Sequence, residues 1–407
     1  MARSVLPNGV EVLSERISGV RSAAVGVWVR QGAAHEDEAD TGGSHLLEHL
    51  VFKGTLKRSA PEIAIALEGL GGSLDAYTSR EHTSYQARVL DEHLPEALDV
   101  LADLVLDPLL RDEDLELERQ VVLEEIAQVE DTPDDLVFEL HSERLWRGHP
   151  YGRSILGTKE SVSSMDSGRL RALHRQRYRG KNLIVAAAGN VEHDELVERV
   201  EGLFGGVAAG RRFRPVAVPE GTESGMAVVR RDSAQTHLVF GTDVPGHAHP
   251  DRYALTLVSA AMGAGMSSRL FQKVREELAL CYSVYTYQSF YSVSGVSGVY
   301  VGTRPATADR AGAAVRQELA RVAAEGLPAA ELEQIKRQVK GQVMLSLEST
   351  GARLYRLASF ALHSEPFLSL DGLLARIDAV TLEDVRRVAT EYYDPQRQLE
   401  LRLGAAA

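Results

Sequence analysis

The spacing of apolar residues divides the chain into short segments of alternating period. Residues 5–13 read Val-Leu-Pro-Asn-Gly-Val-Glu-Val-Leu, a hairpin about Asn8-Gly9. Residues 22–30, small and β-branched, predict a strand, and an acid-rich polar loop follows over 31–41. Residues 42–55 carry helical spacing between Gly42-Gly43 and Gly54, with Ser44 or Thr41 available as a cap. A second helix starts at Ser59 or Ala60, has Pro61 at an early position and stops at Gly71. Residues 73–79 and 83–89 then alternate as two strands about a polar turn. Helices are expected over 94–106, 112–130, 133–145 and 167–178, a buried strand over 183–188 and an amphipathic helix over 192–204. From 205 to 225 the period dissolves into Gly, Pro, Arg and Val, as in an interdomain linker.

The second half repeats this order. A strand at 236–241 leads through a Gly/His/Pro loop to a helix at 252–262, and a helix at 267–278 precedes two strands at 282–289 and 293–301. Helices at 308–325, 329–348, 354–362 and 382–392 and a closing strand at 398–403 complete it. The expected fold class is α+β: two tandem homologous domains, each a mostly antiparallel sheet flanked by helices. The expected boundaries are 1–206, a linker over 207–225, and 226–407. A chain of 407 residues exceeds one ordinary core, which agrees with two domains.

Composition then narrows the function classes. A hydrophobic fraction of 44% with 25% charged residues is that of a globular protein. The net charge of −13 argues against nucleic acid and against an anionic membrane as partner. Cys281 is the single cysteine, so no internal disulfide forms, as in a reducing compartment. No signal peptide and no membrane span is expected, and the localisation expected is cytoplasmic.

The chemistry lies in residues 42–55. His45, Glu48 and His49 spell H-x-x-E-H, the reverse of the H-E-x-x-H order. Positions i and i+4 of a helix share one face, so the two imidazoles can meet one metal ion. Glu48 stands beside them, where it can take a proton from water. A catalytic zinc needs a third ligand and an open position. The 112–130 helix offers Glu113, Glu116, Glu118, Glu124, Glu125 and Glu130. Glu118 and Glu125 lie two turns apart on one face, and Glu124 points about 100° away from Glu125. The second half has no counterpart motif: its matching helix reads Leu-Thr-Leu-Val-Ser-Ala-Ala-Met over 255–262. One zinc per chain is therefore expected.

The chain resembles the insulinase/pitrilysin family of zinc metallopeptidases, and most of all its two-domain, mitochondrial processing peptidase-like bacterial branch. That family carries H-x-x-E-H and a ligand glutamate 76 positions after the second histidine, which falls on Glu125. A supporting glutamate seven residues earlier falls on Glu118. Residues 71–85 are similar to the family's active-site edge strand, with Asp75 where the family more often has Asn. Residues 130–138, His149-Pro150-Tyr151-Gly152 and 268–285 are similar to further family segments, the last carrying the family's Arg/Tyr pair as Arg275 and Tyr282.

The resemblance implies zinc held by His45, His49 and Glu125, with Glu48 as general base and Glu118 behind the ligands. It implies a peptide or unfolded polypeptide bound as an added β-strand along Leu74, Asp75, Ala76, Tyr77 and Thr78, and a carbonyl or oxyanion grip from Arg275 and Tyr282. Family members enclose a chamber of four such domains, so two chains are implied: a homodimer, or a heterodimer with a metal-less homologue. Residue chemistry alone favours a surface charge for Arg275, a core position for Tyr282 and a surface turn position for His82. The competing functions are an inactive or regulatory partner subunit and a zinc-bearing module without turnover. The intact set of His45, Glu48, His49, Glu118 and Glu125 argues against a scaffold.

Overall fold

The computed structural model describes residues 1–405, apart from the Leu67 side chain. It divides into two compact units. The first comprises 1–126, 153–215 and 346–367, and the second 127–152, 216–345 and 368–407. The main changeover at Pro215/Val216 lies inside the segment where periodicity is lost. Two further segments are exchanged: each unit includes one stretch from the other half of the sequence.

In the first unit a six-stranded sheet runs in the order β1-β2-β6-β3-β5-β4. The strands are β1 Ala2–Val5, β2 Glu11–Arg16, β3 Ser22–Val29, β4 Ser73–Thr78, β5 Thr83–Leu90 and β6 Leu183–Gly189. Neighbours are antiparallel except β2 and β6. The period-2 alternation of β3 and β6 explains how both faces are buried. Ala23, Val25, Val27 and Val29 face a core built with the Leu94–Leu106 helix. Ala24, Trp28, Ile184, Ala186 and Ala188 face Leu354, Leu357, Ala358 and Ala361 of the Thr350–Leu362 helix. The long apolar runs of β3 and β6 are thus sandwiched strands.

The second unit repeats the plan with five strands in the order β7-β11-β8-β10-β9. These are β7 Gly225–Arg230, β8 Thr236–Pro245, β9 Cys281–Phe290, β10 Ser294–Thr303 and β11 Leu399–Gly404. Again one pair, β7 with β11, is parallel and the others antiparallel. The helices Asp251–Gly263, Ala308–Glu325 and Leu382–Tyr392 supply one core. On the other face Val137 of the Pro133–Leu145 helix packs with Val239, Leu401 and Leu403. The α+β class and the internal repeat follow directly from this correspondence of order and direction.

Three local features differ from the periodicity. β7 emerges from the aperiodic stretch, because Ala227 alone of its side chains is fully buried and the strand gives little alternation. The helix expected over 267–278 contains a π-helical segment, Phe271–Glu277. The loop at 31–41 is polar in sequence but largely enclosed: Gln31, Ala33, Ala34 and Glu36 are buried.

Candidate metal centre

The Gly43–Val51 helix buries Leu46, Leu47, Leu50 and Val51 in the first core, which turns His45 and His49 together toward the opposite side. Neither Ser44 nor Thr41 caps it. The N-cap is Gly42, at φ +88°, where a Cβ would meet the Leu156 carbonyl at 2.6 Å. The orphan amides are met by Glu36, whose carboxylate accepts from the Gly42 amide at 2.9 Å and the Ser44 amide at 2.5 Å. Sequence reading missed Glu36, because it sits in an acidic run whose members look alike.

Burial pushes the Glu36 carboxyl up to about 7, against the hydrogen bonds from Ser44 and Gly42. Unfolded, it titrates near 4.5. As pH rises through that window the unfolded chain releases a proton that the folded chain keeps, so stability falls. Glu36→Gln removes this dependence. The wild-type stability relative to the variant is expected to decline between pH 5 and 7, by at most about 1.4 kcal/mol per pH unit, and then to level off. Urea titrations across pH 5–8 read this directly, and a difference that ignores pH contradicts it.

Glu125 and Glu118 lie on the Asp112–Asp131 helix. His45 Nε2 is 3.6 Å from Glu125 Oε2, and His49 Nε2 is 3.7 Å from Glu125 Oε1. Ligand atoms of the three residues all lie within 4.8 Å of one another, the one such group among the described residues. A direct hydrogen bond would draw nitrogen and oxygen to about 2.9 Å. Ligands on a tetrahedral ion with bonds of about 2.0–2.2 Å stand roughly 3.4 Å apart. The trio therefore has the spacing of ligands around a shared ion, and two imidazoles with one carboxylate suit zinc. Burial, followed by the charge of His49, lowers His45 to about 4, so its imidazole is neutral and able to ligate at physiological pH.

The two histidines differ behind the site. His49 Nδ1 meets Glu118 Oε2 at 3.0 Å, whereas His45 Nδ1 is buried without a hydrogen-bond partner. Glu118 also pairs with Lys53 Nζ at 2.5 Å. Glu48 is buried and accepts a 2.6 Å hydrogen bond from Thr78 Oγ1. Its carboxyl is raised above the usual range, chiefly by burial.

Thr78 ends β4, the outermost strand of its sheet, on which Leu74, Asp75, Ala76 and Tyr77 also lie. The strand expected to hold substrate and the glutamate expected to act as base are thus joined by a hydrogen bond. His82 is not an open surface residue: it bonds Tyr77 Oη at 2.9 Å and Ser79 Oγ at 3.1 Å, tying the β4–β5 turn, and burial lowers it to about 4. Arg275 and Tyr282 come together in the second unit. The Arg275 guanidinium lies 4.5 Å from the Phe271 ring and 4.9 Å from that of Tyr282. Tyr282 is 77% exposed, which is not a core position.

Residues 11–159 match the family model "Insulinase (Peptidase family M16)", and residues 164–339 match "Peptidase M16 inactive domain". The chain belongs to the insulinase family. A relative named an uncharacterized zinc protease, from Streptomyces coelicolor, is 40% identical over 400 residues, spanning 96% of this chain and 86% of that protein. Among solved structures, a Helicobacter pylori protease superposes with a TM-score of 0.90 at 24% identity, over 99% of both chains. A Pseudomonas fluorescens structure described as a peptidase M16 inactive domain gives 0.94 at 19% identity, over 100% of this chain and 98% of that one. At these identities the two structures speak for the fold. The His45, His49 and Glu125 group falls in the segment matched by the first model, and the segment matched by the inactive-domain model contributes none of it.

Proposed function

We propose that the chain is a zinc endopeptidase that hydrolyses extended or unfolded polypeptides. The observation that carries this reading is the spacing of His45, His49 and Glu125, with Glu48 beside them and tied to β4 through Thr78. Zinc, when bound, supplies a Lewis acid for the carbonyl and acidifies water at the site. His45, His49 and Glu125 hold it. Glu48 accepts the proton of the attacking water and returns it to the leaving amine. Its elevated carboxyl suits both halves of that task, because it brings the group nearer neutrality.

The substrate adds as a strand to the outer edge of β4, so main-chain hydrogen bonds give affinity and side-chain pockets give preference. Arg275 and Tyr282 contribute donors for the reacting carbonyl. We further propose that two copies of the chain pair, each bringing its own zinc group and its own Arg275/Tyr282 pair, with the cytoplasm as the setting. No helix of the described residues is long and apolar enough to cross a membrane.

Strand addition requires an extended chain. Unstructured peptides are therefore expected to be cut, and a stably folded protein carrying the same segment to survive, in gel and mass-spectrometric digests. Adding a chelator should stop cleavage and zinc should restore it. Cleavage that persists in chelator excess counts against the metal reading.

A further inference from the structure

We propose that Lys53 is a positioning residue for the metal site, acting through Glu118 on His49. The proposal rests on the zinc reading above. The Glu118 side chain is only 7% exposed, and its two oxygens have different partners. Oε2 faces His49 Nδ1 at 3.0 Å and Oε1 faces Lys53 Nζ at 2.5 Å. Lys53 follows His49 by four residues, so both partners come from successive turns of one segment and the carboxylate bridges them.

That segment is fixed at its backbone. The Lys53 amide donates to the Leu50 carbonyl at 3.1 Å, and the Lys53 carbonyl accepts from Arg111 Nη2 at 3.2 Å. Arg111 in turn grips Asp114, on the helix that carries Glu118, at 2.7 Å. The ammonium is thereby delivered to one carboxylate oxygen and leaves the other for the imidazole. This holds the carboxylate plane and gives His49 Nδ1 its acceptor, with Nε2 left facing Glu125 and the metal.

Two observations make the contact consequential. His45 has no equivalent support, since its Nδ1 is buried without a partner, so the orientation of the ligand pair depends on the His49 side. Lys53 is also the cation paired with Glu118, one of the three carboxylates (Glu48, Glu118 and Glu125) gathered about the site. Together with a divalent ion it balances their formal charge.

Lys53→Met is expected to weaken zinc binding about 10-fold in a chelator-competition titration, the scale seen for outer partners of metal ligands. Lys53→Gln should give the same loss. The zinc-free chain is expected to melt lower as well, because the buried Glu118 carboxylate loses its cation, and the Glu118→Gln background separates that cost from the effect on zinc. Lys53→Arg should recover most of the affinity. In a Glu118→Gln background, Lys53→Met should cost nothing further, whereas a merely structural role would add its own cost. Wild-type zinc affinity in Lys53→Met, or an undiminished further loss in the Glu118→Gln background, overturns the proposal. Zinc binding that survives unweakened in His45→Ala overturns the zinc reading itself, and this proposal with it.

Discussion

Glu48→Gln is expected to leave zinc content unchanged and to cut kcat/KM on an unstructured peptide by about 10³-fold, the usual scale for losing a positioned general base. Gln preserves the volume and can still accept the 2.6 Å hydrogen bond from Thr78 Oγ1 through its carbonyl oxygen. It cannot take a proton from water. None of the atoms grouped as metal ligands belongs to Glu48, so the metal should remain. Stopped-assay kinetics with elemental analysis of the same sample reads both quantities. Retained activity at full zinc content would assign the base elsewhere, and loss of zinc would mean that Glu48 helps hold the ion.

His49→Ala is expected to have the second large effect. It removes one of three ligands, a change more severe than losing an outer partner, so zinc affinity should fall by more than about 100-fold. It also strips Glu118 of one of its two partners and leaves a buried carboxylate held by Lys53 alone. Zinc that binds only the folded chain stabilises it by about 4 kcal/mol at a thousandfold excess over Kd. The wild-type melting temperature should therefore climb with added zinc, and that of His49→Ala should stay flat and start lower. Scanning calorimetry with and without zinc measures both. A variant whose melting temperature still climbs with zinc would place the ion away from His49.

The histidine pair was legible because it is local: His45 and His49 obey a helical spacing that needs no tertiary knowledge. Glu125 was not. Six glutamates on one helix offered themselves, periodicity narrowed them only to faces, and a family resemblance pointed to Glu125, whose carboxylate the fold brings within 4.8 Å of both histidines. Glu36 and Thr78 escaped as partners of the site for a related reason. Each acts across a sequence gap on a group whose need becomes visible only when the helix end or the carboxylate is buried. Lys53 did follow His49 at the legible spacing, but its role depends on Glu118 arriving between the two. The sandwiched strands β3 and β6 announced themselves as unbroken apolar runs. Which helix covers each sheet did not follow from order, since Thr350–Leu362 and Pro133–Leu145 each pack in the unit built mainly from the other half of the chain.

His45, His49 and Glu125 are proposed to bind one zinc ion next to a peptide strand. Anomalous diffraction at the zinc edge from crystals of Glu48→Gln soaked with zinc and an uncleaved peptide tests it most directly. One peak per chain is expected, about 2.0–2.2 Å from an imidazole nitrogen of each histidine and from a Glu125 oxygen, with the peptide paired along β4. A peak at any other residues, or a peptide away from that strand, contradicts it.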